Sequence, residues 1–363
     1  MSTAYSGDGI TFPDNTVQNT APKVGMVNRV INGGMVVDQR NAGASVSLSG
    51  AGQYIVDRMK CRLDASSSST GQQVADAPVG FNSSIKLTIG TGAAPSSSQL
   101  GWLSQSIEGF NTADLGWGTS SAKTATLSFW VKSSVTGTFS GVVRNGGTSA
   151  YAFGYTVSSA NTWERKAVTI IGDTANTWGT DNGLGIGVFF DLGTGTTFQT
   201  AAGVWSSGNY FSASGSTALC ATSGATFYVT GVQLEKGSTA TDFEYVDYSR
   251  QLQMCQRYFA KLQNDGAGGA ISLAVGGQRD TTSSWLYVKH PVTMRSEPTV
   301  AISQTQLTDF SVYANAATLT NTFAGFDTST IYCSMTAAGA AYRSAGLQIN
   351  NDTSGFLSLS SEL

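Results

Sequence analysis

The sequence predicts an all-β protein: a jelly-roll β-sandwich, one connecting helix, and a smaller C-terminal β-sandwich. Three observations predict it. Apolar residues come in short bursts, several of which alternate with polar residues at a period of two, as a half-buried strand requires. Turn clusters rich in Gly, Ser, Thr and Asn separate the bursts at the spacing expected of a sandwich. The composition also fits: 46 Ser, 43 Thr and 43 Gly stand among 363 residues, with only 6 Pro. Hydrophobic residues make up 40% of the chain and aromatic residues 10%. That is enough to bury a sizeable core and excludes a disordered chain. Charged residues are only 12%, about half the usual share. The polar surface is therefore built from hydroxyls and backbone.

Taken in order, residues 1–27 are small and polar, with one extended stretch, Ile10 to Gln18, around a turn at Pro13-Asp14-Asn15. So short a segment has no core and must pack on a partner. Residues 28–245 form the predicted jelly roll. Its entrance carries Arg29, Asp38, Arg40, Asp57 and Arg58, read as Asp/Arg ion pairs that pin the domain. Val30-Ile31 and Met35-Val37 flank a tight turn at Asn32-Gly33-Gly34, and Tyr54–Met59 reads as a strand. Ser84–Ile89 and Ala125–Lys132 alternate strictly, the latter with Ala125, Leu127, Phe129 and Val131 on one face. Val168–Ile170, Gly187–Asp191 and Ala225–Leu234 continue the pattern.

Residues 246–266 differ. Tyr248, Leu252, Cys255, Tyr258 and Phe259 share one face of a helix, with Asp247 or Ser249 as cap and Asn264-Asp265-Gly266 as its end. Residues 267–363 return to strands: Ala270–Val275, Trp285–Lys289, Thr299–Ser303, Phe310–Tyr313, Thr330–Met335 and Gly346–Asn350.

The formal net charge of -3 leaves no basic surface for phosphate neutralisation, which excludes nucleic-acid binding of that kind. No apolar run reaches the roughly 18 residues of a membrane span. The first residues lack the basic and apolar regions of an export signal. The four cysteines, Cys61, Cys220, Cys255 and Cys333, form no CxxC motif and read as free thiols of a protein assembled in a reducing cytosol. The single histidine, His290, makes a Ser-His-Asp site improbable and reads as structural. No P-loop, GxSxG or HExxH motif occurs, and Gly183–Gly187 reads as packing within a strand. Asp114, Glu164, Asp173, Asp181 and Asp191 lie in the jelly-roll region, but nothing in the sequence places two of them at the separation glycoside hydrolysis needs. No cofactor is predicted, and no residue set is assigned to a metal. Of seven tryptophans, Trp117, Trp178 and Trp205 stand in Gly/Ser/Thr-rich, loop-like context. Their ring faces suit stacking on sugars, although core packing is the commoner role of such residues. Trp130 and Trp163 read as structural.

Three phrases carry a resemblance. They are Gly9-Ile-Thr-Phe-Pro-Asp-Asn-Thr-Val-Gln18; Asn28-Arg-Val-Ile-Asn-Gly-Gly-Met-Val-Val-Asp38 followed by Tyr54-Ile-Val-Asp-Arg58; and Gly231-Val-Gln-Leu-Glu-Lys236 leading into Leu252-Gln-Met-Cys-Gln-Arg-Tyr-Phe259. The chain thereby resembles tailed-bacteriophage fibre and appendage proteins, and His290-Pro-Val-Thr-Met-Arg-Ser-Glu-Pro298 fits the same group. The resemblance implies a carbohydrate-binding-module-like jelly roll, a distal β-sandwich and a homotrimer. It also implies attachment to other virion proteins through the N-terminus, with Ile10, Phe12 and Val17 as docking residues. It transfers no catalytic residue. The expectation is a non-enzymatic virion protein, made in the host cytoplasm, that acts as a tail fibre and binds a bacterial surface polysaccharide. The chain lacks the long shaft of such fibres, which leaves a head fibre or capsid decoration protein as the alternative. A glycan-degrading tailspike is a third reading.

Overall fold

The computed structural model describes residues 26–147, 149–264, 269–308, 317–334, 341–350 and 352–363, and the backbone of 4–6, 9–11, 17–18 and 313–315. Phe12, the Pro13-Asp14-Asn15 turn, Asp265-Gly266, residues 310–312 and Met335 lie outside the described residues. At the N-terminus, Ala4–Ser6, Gly9–Thr11 and Val17–Gln18 form a three-stranded antiparallel sheet. Ile10 lies opposite Gln18 and Thr11 opposite Val17.

Two antiparallel sheets face each other in the first sandwich. The six-stranded sheet runs Glu164–Ile170, Ala125–Ser133, Thr226–Lys236, Ser84–Thr88, Thr70–Val74 and Val46–Ser47. The seven-stranded sheet runs Trp205–Ser207, Ser149–Val157, Gly137–Arg144, Leu184–Asp191, Gly101–Glu108, Met59–Leu63 and Gln53–Val56. The chain crosses repeatedly between the two sheets, as in a jelly roll. Ala125, Leu127, Phe129 and Val131 are all fully buried in the shared core, the face their alternation predicts.

Val30-Ile31 and Met35-Val37 are not strands. The buried Asn32 side chain donates to the Val37 and Asp57 carbonyls and accepts from the Val36 and Val37 N–H groups. The tight turn at Asn32-Gly33-Gly34 is a plug pressed on the sandwich. A Cβ at Gly33 would lie 2.1 Å from the Val232 carbonyl oxygen, so only glycine fits there. Tyr54–Met59 is a hairpin, not one strand: Gln53–Val56 pairs with Met59–Leu63, and Arg58 turns the chain at φ 72°.

The helix covers only Tyr248–Gln256. Asp247 caps it, accepting from the Arg250 N–H at 3.0 Å. Tyr248 is 60% exposed, so it is not on the buried face. Phe259 is not helical either. It opens the strand Phe259–Gln263, which pairs with Phe356–Ser360 and brings in Thr299–Ser303. Pairing at five register positions, Phe259 to Gln263 with Ser360 to Phe356, takes this segment into the sheet instead of a further helical turn. This three-stranded sheet packs on a seven-stranded one, ordered Tyr313–Asn315, Gln306–Thr308, Ser344–Asn350, Ala270–Gln278, Ser283–Lys289, Thr328–Ser334 and Thr318–Ala324. Ala260, Leu286, Val288, Ile331, Leu347 and Leu359 fill the core between them.

A polar joint connects the sandwiches. The entrance arginines pair with residues far along the chain rather than with the neighbouring aspartates. Arg40 and Arg58 both bind Glu362. Their guanidinium groups lie 3.6 Å from the ring centres of Phe259 and Tyr258, respectively. Buried Glu108 accepts from Arg257 at 2.5 Å and from the Tyr258 hydroxyl at 2.6 Å. Arg29 pairs with Asp114 instead.

Asp57, beside this joint, is held by the Gln39 amide. Burial pushes its carboxyl up to about 6, against the opposing effect of that amide and of Arg40. A value raised in the folded state means the fold favours the protonated acid. The contribution is complete below about pH 4, the unfolded value, and is lost as pH rises through about 6. Its size is about 2–3 kcal/mol. Asp57→Asn is therefore expected to abolish that share of the pH dependence of the urea midpoint between pH 4 and 7. Parallel profiles for variant and wild type would refute the assignment.

Candidate functional site

The structure brings Trp117, Trp178 and Trp205 together, but as packing. Trp117 and Trp178 meet edge to face at 4.8 Å, and each lies 5.5 Å from Trp205. Every indole N–H is used internally: Trp117 donates to the Lys123 carbonyl, Trp178 to Asp173 and Trp205 to the Ile171 carbonyl. Trp117 is 6% exposed and Trp178 8%, so neither offers a face to a sugar. Trp205 is half-buried between them and Tyr151. The expectation of stacking platforms is corrected for Trp117 and Trp178, whose rings the loops bury; Trp205 keeps part of its surface.

The other singled-out residues are also engaged. His290 is buried between the Phe326 carbonyl and the Ser329 hydroxyl, each at 2.9 Å. Burial raises the Asp191 carboxyl, which accepts from Ser140, Ser212, Ser216 and the Gly193 N–H. Asp114 pairs with Arg29 and Lys236, and Glu164 with Lys166. All four cysteines are free and buried, and burial pushes the Cys220 thiol up to about 11 and Cys333 up to about 12. Among the described residues no three His, Cys, Asp or Glu side chains converge as a metal site needs. No described helix is long and apolar enough to cross a membrane.

The open surface of interest is the outer face of the seven-stranded sheet in the first sandwich. Its far half is covered, because Tyr210 and Ala213 pack on Val142, Ala150 and Ala152. Asp191 pins that covering segment through Ser212 and Ser216. The near half remains a groove of about 170 Å³. Trp102, Phe189 and Phe211 form its aromatic wall. Phe189 stands edge-on to both others, at 5.4 Å from Trp102 and 5.1 Å from Phe211. Trp102 and Phe211 are near-parallel, 14° apart in plane. Ser104 and Ser106 line the floor, and Tyr54, Arg58 and Lys60 the other side. Lys60 stands 5.6 Å above the Tyr54 ring and makes no ion pair with a described carboxylate. Leu363 also lines it, and among the described residues no acidic side chain does.

Strand periodicity explains this face. In Gly101–Glu108 the even positions Trp102, Ser104 and Ser106 point outward while Leu103 and Ile107 are buried in the core. Of the pair Phe189-Phe190, Phe190 is fully buried and Phe189 faces the groove. A tryptophan sharing an outward strand face with two serines was the available signal. The assembly of Tyr54, Lys60, Trp102, Phe189 and Phe211 was not, because sequence does not reveal strand order. Of the N-terminal docking residues, Ile10 and Val17 sit on neighbouring strands of the small sheet.

The fold and this groove define a two-sandwich, all-β protein with an open aromatic face lined by hydroxyls. No protein-family model matches the chain, and no curated protein matches it. Among solved structures it is similar to the enzymatically active domain of tailspike protein 4 of bacteriophage CBA120, at 15% identity over 58% of this chain, with a TM-score of 0.32. The match spans 22% of that structure's length. It is also similar to the CBM22-1 xylan-binding domain of Xyn10C from Paenibacillus barcinonensis, at 12% identity over 55% of this chain and 99% of that one, with a TM-score of 0.23. A third is TmCBM61 in complex with β-1,4-galactotriose, at 10% identity over 58% of this chain and 99% of that one, with a TM-score of 0.25. Likenesses of this size transfer neither residues nor activity.

Proposed function

We propose that this chain is a glycan-binding protein of a tailed-phage appendage, and that the groove over Trp102 holds a saccharide of the bacterial surface. The observation that carries the proposal is the groove itself. Partly exposed aromatic rings stand beside Ser106 and a lysine with no described ion-pair partner, in a groove on the sheet face. Apolar ring faces stack on the C–H face of a sugar, while hydroxyls and ammonium groups bond its oxygens. The scarcity of charge elsewhere suits contact with a hydrated, mostly neutral polymer. No described acidic side chain lines the groove, so the reading is binding rather than hydrolysis. The resemblance of the N-terminal and linker phrases to phage fibres supports the appendage role. A homotrimer attached through its N-terminal strands would multiply weak sites into avidity.

Affinity electrophoresis against neutral polysaccharides (dextran, mannan, xylan), acidic ones (alginate, polygalacturonate) and host-type lipopolysaccharide tests the reading. Retardation by at least one is expected. Trp102→Ala and Lys60→Ala are each expected to weaken it about tenfold, or about 1.4 kcal/mol, with the thermal midpoint monitored alongside. Absence of retardation by every polymer would overturn the proposal. Undiminished binding by both variants would remove the groove from it.

A further inference from the structure

The C-terminal sandwich presents a second open face. Strand Ser283–Lys289 alternates so that Leu286 and Val288 are buried, while Trp285 is 43% and Tyr287 60% exposed. On the adjacent strand Tyr332 lies 5.5 Å from Trp285, and beyond it Phe323 lies 5.6 Å from Tyr332. At one edge of this aromatic row is a cleft of about 280 Å³, walled by Trp285, Tyr287 and Tyr342, with Gly277 and Arg279 also lining it. It lies near the small end of ligand clefts, about 300–1,000 Å³.

Three details set this cleft apart from an ordinary sheet surface. Tyr342 is 93% exposed and sits at φ 65°, a left-handed conformation that costs a residue with a Cβ about 1 kcal/mol or more. Backbone hydrogen bonds tie this stretch down, from the Tyr342 N–H to the Gln278 carbonyl and from the Gln278 N–H to the Arg343 carbonyl. The ring is thus held out at the cleft by its backbone rather than by burial. Gly277 is not required by packing, because a Cβ there would meet only the Arg343 carbonyl oxygen at 3.9 Å. Its missing side chain leaves the cleft open. Asp280 is consumed by the turn, accepting from Thr282 and Ser283. Arg279 therefore stands at the rim with no described ion-pair partner.

We infer that this cleft is a second saccharide site, in which Trp285, Tyr287 and Tyr342 contact a sugar ring and Arg279 donates to its oxygens. The choice of ligand rests on the mixture of groups. The outward neighbours of the aromatic residues are mainly hydroxyl-bearing, such as Ser283, Thr328 and Thr330. Val275 is the one large aliphatic side chain among the described residues of this sheet that is strongly exposed. Aromatic residues and arginine also mark contacts between protein copies, so the oligomer mass is read alongside binding. The saccharide class is shared with the proposed function and rests on that reading, but the site is separate.

The full-length protein carrying Gly277→Val, which fills the cleft, or Trp285→Ala is tested with the same polymers and by sedimentation velocity. Each variant is expected to lower affinity for the retained polysaccharide at least about tenfold with unchanged sedimentation. Combination with Trp102→Ala is expected to abolish binding. Wild-type affinity in both cleft variants would overturn the second site and leave the groove standing. Loss of binding in the cleft variants with full binding by Trp102→Ala would leave the cleft and remove the groove. A lower oligomer mass in the cleft variants would identify the face as a contact between copies and also overturn the inference. Absence of wild-type binding to any polymer would overturn both sites.

Discussion

Replacing Glu362 with Ala is expected to destabilise the joint between the sandwiches by about 3–5 kcal/mol, because it strips buried Arg58 and half-buried Arg40 of their shared carboxylate. The Arg58 side chain is 1% exposed and that of Arg40 16%. Burial lowers the pKa of both guanidinium groups, against the opposing effect of nearby Asp57 and Asp38 on Arg40 and of Tyr258 on Arg58. Arg58 retains the Ser106 carbonyl at 2.5 Å, and both rings beneath the guanidinium groups remain. Those contacts do not replace a counter-charge in a dry environment. The thermal midpoint is expected to fall by about 10 °C, given about 2–4 °C per kcal/mol for domains of this size. Glu362→Gln keeps an acceptor and should fall between wild type and Ala. The second pair, Glu108 with Arg257 and Tyr258, would still hold the sandwiches in contact. The loss should therefore appear as an earlier unfolding transition rather than a failure to fold. A Glu362→Ala midpoint within a degree of wild type would show that the joint does not depend on this carboxylate.

Trp178→Ala is expected to cost about 3–5 kcal/mol while leaving polysaccharide binding per folded molecule unchanged. The substitution empties the space between Trp117 and Trp205 and removes a donor to Asp173. Burial pushes the Asp173 carboxyl up, but hydrogen bonds from the Ala175 N–H, Asn176, Trp178 and Ser149 outweigh it and hold the carboxyl below its usual range. Losing one of them leaves a carboxylate less well satisfied in a 3% exposed position. Chemical denaturation measures the first effect and affinity electrophoresis the second. The opposite pattern, unchanged stability with lost binding, would restore the tryptophan cluster as a binding surface.

These two results probe different ranges of interaction, and they mark where sequence reading succeeds. Alternation is a local property, so the buried face of Ala125–Ser133 and the outward face of Ser283–Lys289 follow from the residues themselves. The cap at Asp247 is equally local, since its side chain reaches only to the Arg250 N–H. Trp117, Trp178 and Trp205 look exposed because their neighbours are small and polar. Their burial depends on the Lys123 and Ile171 carbonyls and on Asp173, partners set by how the loops cross. The helix face likewise pointed to Phe259, but a strand almost a hundred residues later recruits that residue into a sheet. No local signal marks such competition.

By itself, the sequence determined that this protein is β throughout, with one helix between two sandwiches; that the helix ends at Gln256 was decided by sheet pairing. Hydrophobic period, turn residues and low charge act within a few positions of one another. Only the tertiary structure decided which aromatic rings remain open to solvent and which arginines find a carboxylate. Trp102 and Phe189 share a groove because their strands are adjacent in the sheet, and Arg58 meets Glu362 across 304 positions of sequence. Contacts of that range are selected by how the whole chain packs, since the free energy of a buried ring or charge depends on partners that the fold alone brings within reach.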